Sequence, residues 1–494
     1  MTETNMGSDI MLRRPRTTGL NAQPRHRSAR VALIAAPLLL IATACGDDSG
    51  NTIGFHFSGK PQAGVPSQVV WEAHLVQSPD ASYVDAGTFV VASSSFTSLT
   101  GLDASSGNVA FERRSDQLPL DLEGVLAFGG GRLLVGAHGD GGADGRVDAY
   151  DSATGNKLWS VALDLKDPLP VIVGDAVVVA NHDAGQSTGH VHLYALADGM
   201  ERWSAPVALG PVARPESNDH DRGAPLLAVD EQALTVQTGS GTSLAKIDLQ
   251  TGAIAWEYDT GRPIVQVQAL EAEGRVVVLT KAQDETDLKR RVEGLRSDTG
   301  QLVWSRETDD DTFVVNGDSI VTAVDFGGPW SSFDVSSGST QWESYSDGSS
   351  IQAVSGNFAV TDGLSVFDLT TGEHMWSTGK FQAPGDVHVV GDVVVANSSS
   401  HKPTAYDVTT GKKLWAVEDG YILEYLDQSN TVLTRNVDLI ELHDVHSGTV
   451  LWKLTIGDKV GIRAQTDADG NLYLVLDKYR KSVATIIAIT PPPA

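Results

Sequence analysis

The chain has 494 residues, with 36 Lys and Arg against 63 Asp and Glu, for a formal charge of −27. Its one cysteine, Cys45, rules out an intrachain disulfide and a cysteine-rich zinc site. Six of the arginines fall within residues 1–44, so the remainder is more acidic still, a surface that repels nucleic acid and anionic lipid.

The first element is an export signal. Arg25, Arg27 and Arg30 precede an apolar run from Val31 to Ile41, followed by Ala42-Thr43-Ala44-Cys45-Gly46. That run is about half of the ~20 residues that span a bilayer. A basic flank, a short apolar segment and small residues at its end are the features of a secretory signal peptide. With the cysteine directly after the small residues, residues 1–44 resemble a bacterial lipoprotein signal. The resemblance implies that Cys45 is diacylated and becomes the first mature residue, anchored on the extracytoplasmic side of the cell membrane, or at the outer membrane of a Gram-negative envelope. A plain signal peptide with an incidental cysteine is the other reading. Residues 45–70 show no sustained periodicity and are expected to form a flexible tether. A folded body over 71–490 and a tail over 491–494 complete the organisation.

From residue 71 onward the chain repeats itself. Nine turns of the form Asp-x-x-Thr/Ser-Gly are centred on Gly107, Gly155, Gly199, Gly252, Gly300, Gly338, Gly372, Gly411 and Gly448. Four residues past the glycine stands an aromatic: Phe111 in the first copy and Trp in the other eight. Glycine is required because such a turn ends at positive φ, and the short Asp and Thr/Ser side chains can bond turn amides. Ala195 and Arg296 replace the Asp ahead of Gly199 and Gly300, and those two turns are expected to be weaker. A second series of turns, at Gly87, Gly131, Gly174, Gly274, Gly317, Gly391 and Gly470, adjoins short runs rich in Val, Leu and Ile. Together the two series give four strands per unit.

The ends complete the count. Trp71 lies in an outer-type strand with no hairpin before it, and Ala484–Ile489 is a strand with no outer partner after it. Pairing them in one sheet closes a ring and removes its open edge. The expected fold is an all-β propeller of four-stranded blades, with ten units between 71 and 490; eight is the alternative count.

These units resemble the PQQ-type propeller repeats of the quinoprotein alcohol dehydrogenase-like superfamily, which includes BamB-like lipoproteins. The resemblance implies that Trp71, Trp159, Trp203, Trp256, Trp304, Trp342, Trp376, Trp415 and Trp452 dock between neighbouring blades. It also implies a ring of seven or eight blades, fewer than the ten counted here. In the dehydrogenases a vicinal cysteine pair, a Ca²⁺ and a catalytic Asp surround the quinone. No cysteine follows Cys45, and the regularly spaced Asp residues belong to turns. No catalytic, cofactor-binding or metal-binding residue is therefore expected. The favoured function is a non-catalytic scaffold for an envelope or extracellular protein or peptide; the alternative is a quinone-dependent dehydrogenase, or another enzyme, with its site in the central channel.

Weaker candidates remain. His190 and His192 share one strand face, with His182 and His220 as further imidazoles, and an exposed blade edge is favoured over a metal site. Asp140–Gly145 looks like a calcium loop but lacks the Glu at position twelve. Asp467–Asn471 lacks it too and is read as a turn. Asp309–Asp311 is expected to be a solvated connection. Lys289-Arg290-Arg291 is expected to be a loop or strand-edge feature.

Overall fold

In the computed structural model the described residues are 55–490 apart from 60–64, 76–78, 86, 94–97, 115–121, 138–144, 164–169, 183–188, 208–226, 230–232, 239–240, 271–272, 283–288, 311, 324–328, 346–350, 362, 379–386, 398–401, 419, 427–428, 457–459 and 479–482. They form ten antiparallel sheets with no α-helix among them. Blade 1 runs Pro79–Asp85, Thr88–Ser93, Ser98–Asp103 and Val109–Arg114, in that spatial order. The same up-and-down order recurs in blades 2 to 9 over 122–163, 171–207, 227–259, 264–308, 312–345, 351–377, 387–416 and 421–456. First strands of neighbouring blades lie against one another, so they line the channel and the fourth strands form the rim.

The core is divided among the joints. Each hydrophobic cluster is shared by two successive blades, as where Val90, Leu99 and Phe111 of blade 1 meet Leu133, Val135 and Tyr150 of blade 2. Strands such as Thr88–Ser93 are buried at every residue, which explains the unbroken apolar runs: both faces of each sheet are covered.

One local device repeats without exception. In all ten blades the outer strand pair shifts register at the residue before the aromatic, for example at Leu158 before Trp159. A β-bulge bends the strand and re-aims the next side chain. The spacing from turn glycine to aromatic thus encodes the exit of the turn plus the bulge.

The ring closes through both ends of the chain. Strand β2 (Gln68–Leu75) pairs with Val483–Thr490 as the outer strand of blade 10. Tyr473 and Ile486 of that blade pack with Phe89 and Leu102 of blade 1.

The tether expected over 45–70 needs correction. Strand β1 (Phe55–Gly59) pairs with Val450–Ile456 as a fifth strand on blade 9, and Val65–Ser67 already lie against the ring. Phe55 and Phe57 alternate with His56 and Ser58, giving one apolar face, but five residues are too few to register as periodicity in the sequence. Cys45, the signal segment 1–44 and the tail 491–494 lie outside the described residues.

Candidate functional site

The repeated aromatics join blade to blade. The indole N–H of Trp71 donates to the carbonyl of Ala104 (2.8 Å), Trp159 to Leu196 (3.1 Å), Trp203 to Leu249 (2.9 Å), and Trp256 to Ser297 (2.9 Å). Trp304 donates to Val335 (2.9 Å), Trp342 to Leu369 (3.1 Å), Trp376 to Val408 (2.7 Å), and Trp415 to Val445 (2.6 Å). Every acceptor is the second turn residue of the following blade. Trp452 instead donates to Pro66, at 2.7 Å. Trp71, Trp159, Trp203, Trp256, Trp304 and Trp452 are buried, whereas Trp342, Trp376 and Trp415 are half-buried.

Strands one and two, and strands three and four, are connected on the same side of the ring, so both series of turns crowd one face. The connections of the other face lie largely outside the described residues. On the turn face the Asp carboxylates cap their own turns: Asp407 accepts the Thr410 N–H and hydroxyl, each at 2.7 Å. Hydroxyl donors from Ser105, Thr251, Ser336 and Thr410 hold Asp103, Asp248, Asp334 and Asp407 below the usual carboxylate range. In Asp444, burial pushes upward, but hydrogen bonds from Ser447 outweigh it. These groups stay ionised at any physiological pH, and the face is correspondingly acidic.

Several pairs cross-link that face. Arg202 forks onto Asp175 at 2.9 and 2.7 Å, and His446 meets Asp392 at 2.9 Å. Arg296, in place of a turn Asp, grips Asp298 and lowers its carboxyl to about 2. The two irregular turns keep the common backbone bond: Gly300 donates to Arg296 and Gly199 to Ala195, each at 2.9 Å.

Three acids on interior strands, two of them buried and Glu441 half-buried, were not singled out in the sequence. Asp148, Glu293 and Glu441 occupy one equivalent place, three residues before the outer turn. Asp148 is fully buried against Lys157 (2.8 Å), Arg146 (3.3 Å) and Ser160 (2.5 Å). Glu293 accepts the Tyr258 hydroxyl of the preceding blade at 3.2 Å, and burial raises its carboxyl above the ordinary range despite Arg291. Glu441 pairs with Lys453. His192 holds the same place in blade 3, meets Glu201 at 3.2 Å and stacks on Tyr194. The alternation Arg146-Val147-Asp148 and Arg291-Val292-Glu293 was the available signal.

Polar side chains of the channel-lining strands also serve the joints. Gln266 of blade 5 mimics a strand edge, accepting the Phe313 N–H at 3.1 Å and donating to the Phe313 carbonyl at 2.9 Å. Gln465 of blade 10 donates to the Ser82 carbonyl of blade 1.

The remaining candidates divide. Asp467 accepts from the N–H groups of Asp469 and Asn471 and from the Tyr473 hydroxyl, as a hairpin turn. Arg290 and Arg291 open an interior strand, Arg290–Arg296, and Lys289 pairs with Asp309 at 2.8 Å. The solvated reading of Asp309–Asp311 fails at Asp310, which is buried and accepts the Thr308 hydroxyl. His190 and His192 lie 5.8 Å apart between ring centres; the His182 side chain, His220 and Asp140–Asp144 lie outside the described residues. Among the described residues, no three His, Cys, Asp or Glu side chains come together as a metal site would require.

The profile of the family described as outer membrane protein assembly factor BamB matches residues 66–222, 215–417 and 328–467. The chain belongs to the BamB family of PQQ-type propellers. Overlapping matches are what a repeated unit produces when one profile can seat at several places on the ring. BamB from Moraxella catarrhalis is similar in structure at 16% identity, covering 85% of this chain and 99% of its own, with a TM-score of 0.39. Quinohemoprotein alcohol dehydrogenase ADHIIG from Pseudomonas putida HK5 is similar at 14% identity, covering 86% and 77%, with a TM-score of 0.39. The computationally designed Ika8 protein is similar at 18% identity, covering 74% and 95%, with a TM-score of 0.37. No curated protein sequence matches this BamB-family chain significantly.

Proposed function

We propose that this BamB-family propeller is an exported, lipid-anchored, non-catalytic scaffold that binds a protein or peptide partner at the cell envelope. The observation that carries the reading is the family match across 66–467, to a family described as an assembly factor. The chemistry of the repeat agrees with it: turn carboxylates cap backbone and indoles join blades, so the recurring residues build the disc. Rigid rims of this kind present extended loop surfaces to partners.

Anchoring would run through Cys45. The chain reaches the ring at Phe55, ten residues later, which at full extension spans at most roughly 33–36 Å. Two acyl chains, at about 0.8 kcal/mol per buried CH₂, would hold the protein durably. The acidic disc would stand off anionic headgroups.

Fractionation and cross-linking in native membranes, comparing wild type with Cys45→Ala, test the proposal. Loss of the variant from the membrane fraction, with a cross-linked partner retained only by wild type, is the expected result. Titration with PQQ and Ca²⁺, followed by dye-linked alcohol oxidation, tests the non-catalytic part; tight quinone binding with turnover would overturn it.

A further inference from the structure

Nine blades end in an outer turn whose glycine receives the aromatic ring of the blade before; blade 10 has no such turn, because the two ends of the chain meet there. The Ser67 N–H donates to the Thr490 carbonyl at 3.1 Å, the same bond that Gly107 makes to Asp103 at 2.8 Å within blade 1. The cut hairpin is held in register, yet it offers Trp452 of blade 9 no glycine to lie on.

The N-terminal segment covers Trp452 instead. Its indole donates to the Pro66 carbonyl, and its ring lies 5.2 Å from that of Phe57, centre to centre. At 1% exposure Trp452 is the most deeply buried of the nine repeat tryptophans. Strand β1 runs antiparallel to Val450–Ile456 in unbroken register, from Phe55 opposite Ile456 to Gly59 opposite Trp452. Phe55 and Phe57 pack against the cluster that includes Trp452, Leu454 and Ile456, while His56 and Ser58 face outward.

We propose that the outer edge of Val450–Ile456, together with Trp452, is an acceptor site for an extended segment with aromatic side chains at alternate positions. The chain fills this site in cis with residues 55–59, which thereby lock the ring. An exposed strand edge supplies main-chain hydrogen bonds, and pockets for alternate side chains supply selectivity. A strand of five residues is short enough to exchange, since most of the sheet persists without it. The proposal is independent of lipidation at Cys45.

The full chain carrying a site-specific protease sequence in place of residues 60–64 is folded and then cut. The N-terminal fragment should remain with the ring through gel filtration. A fluorescent peptide of residues 51–60 should replace it with saturable anisotropy, and the Phe57→Ser peptide should bind at least tenfold more weakly. The uncut protein should take up no peptide, because its site is filled. Departure of the fragment without peptide uptake, or equal uptake by cut and uncut protein, would overturn the proposal. In the uncut full chain, Phe57→Ser should permit peptide uptake and red-shift an emission that Trp452→Phe abolishes; should that variant fail to fold, the cut protein still decides.

Discussion

An alanine Cβ placed at Gly411 would lie 2.6 Å from Cδ2 of Trp376, inside the contact distance of any real pair of carbons. The turn glycine of blade 8 is thus the floor on which the indole of blade 7 rests. Its φ of +67° is set by the turn, and its missing side chain is required by the neighbour.

Two glycine substitutions separate those requirements. Gly391, in the inner turn of the same blade, has φ +59° but nothing within 4 Å of a built Cβ. Gly391→Ala should cost only the backbone strain, about 1 kcal/mol. Gly411→Ala adds displacement of a half-buried indole and should cost about 2–4 kcal/mol. Denaturant midpoints of the two variants provide the check; equal losses would mean that the ring does not rest on the turn.

The tryptophans should not be equivalent. Trp452 is enclosed by Phe57 and donates to Pro66, so truncation leaves both a cavity and an unpaired carbonyl; Trp452→Ala should cost about 3–5 kcal/mol. Trp415 also has a carbonyl partner but is only half-buried, and Trp415→Ala should cost about 2–3 kcal/mol. Thermal denaturation at matched concentrations ranks the pair.

The repeat was legible because its turn needs particular residues: glycine for positive φ, Asp and Thr for capping, and an aromatic at a spacing that absorbs one bulge. Ring closure was legible because Val69–Trp71 and Ala484–Ile489 each lacked a partner. Strand β1 was not, since Phe55 and Phe57 sit among Gly and Pro in a segment too short to show a period. Trp330, off the repeat and fully buried against Phe367 at 4.6 Å, carried no spacing signal. The burial of Asp310 depends on the Thr308 hydroxyl beside it, which composition cannot distinguish from a solvated Asp run.

Acid should loosen the outer turns together. Hydroxyl and amide donors lower the folded-state carboxyls of Asp103, Asp248, Asp334 and Asp407. Such a group contributes stability that is present above the unfolded value, near 3.9 for Asp, and is lost as pH falls through the lower folded value. Replacing all four with Asn should flatten the acid limb below about pH 4 and leave the shape of the neutral plateau unchanged. Melting temperatures across pH 2–7 read the difference.

Glu293 should behave with the opposite sign. Burial holds its carboxyl above the ordinary range, so the folded state keeps a proton that the unfolded chain releases near pH 4.3. Stability from this group is therefore fullest below that pH and falls as pH rises through the folded value. Glutamine keeps an acceptor for the Tyr258 hydroxyl and removes the buried charge. Arg291, whose side chain is a third exposed, can turn to water when its partner is neutral. Glu293→Gln should accordingly raise the melting temperature at pH 7, by an amount that shrinks to nothing toward pH 4. A variant less stable at pH 7 would show that the attraction of Arg291 exceeds the desolvation of the carboxylate, and that the acid at this joint is a net fastening between blades 4 and 5.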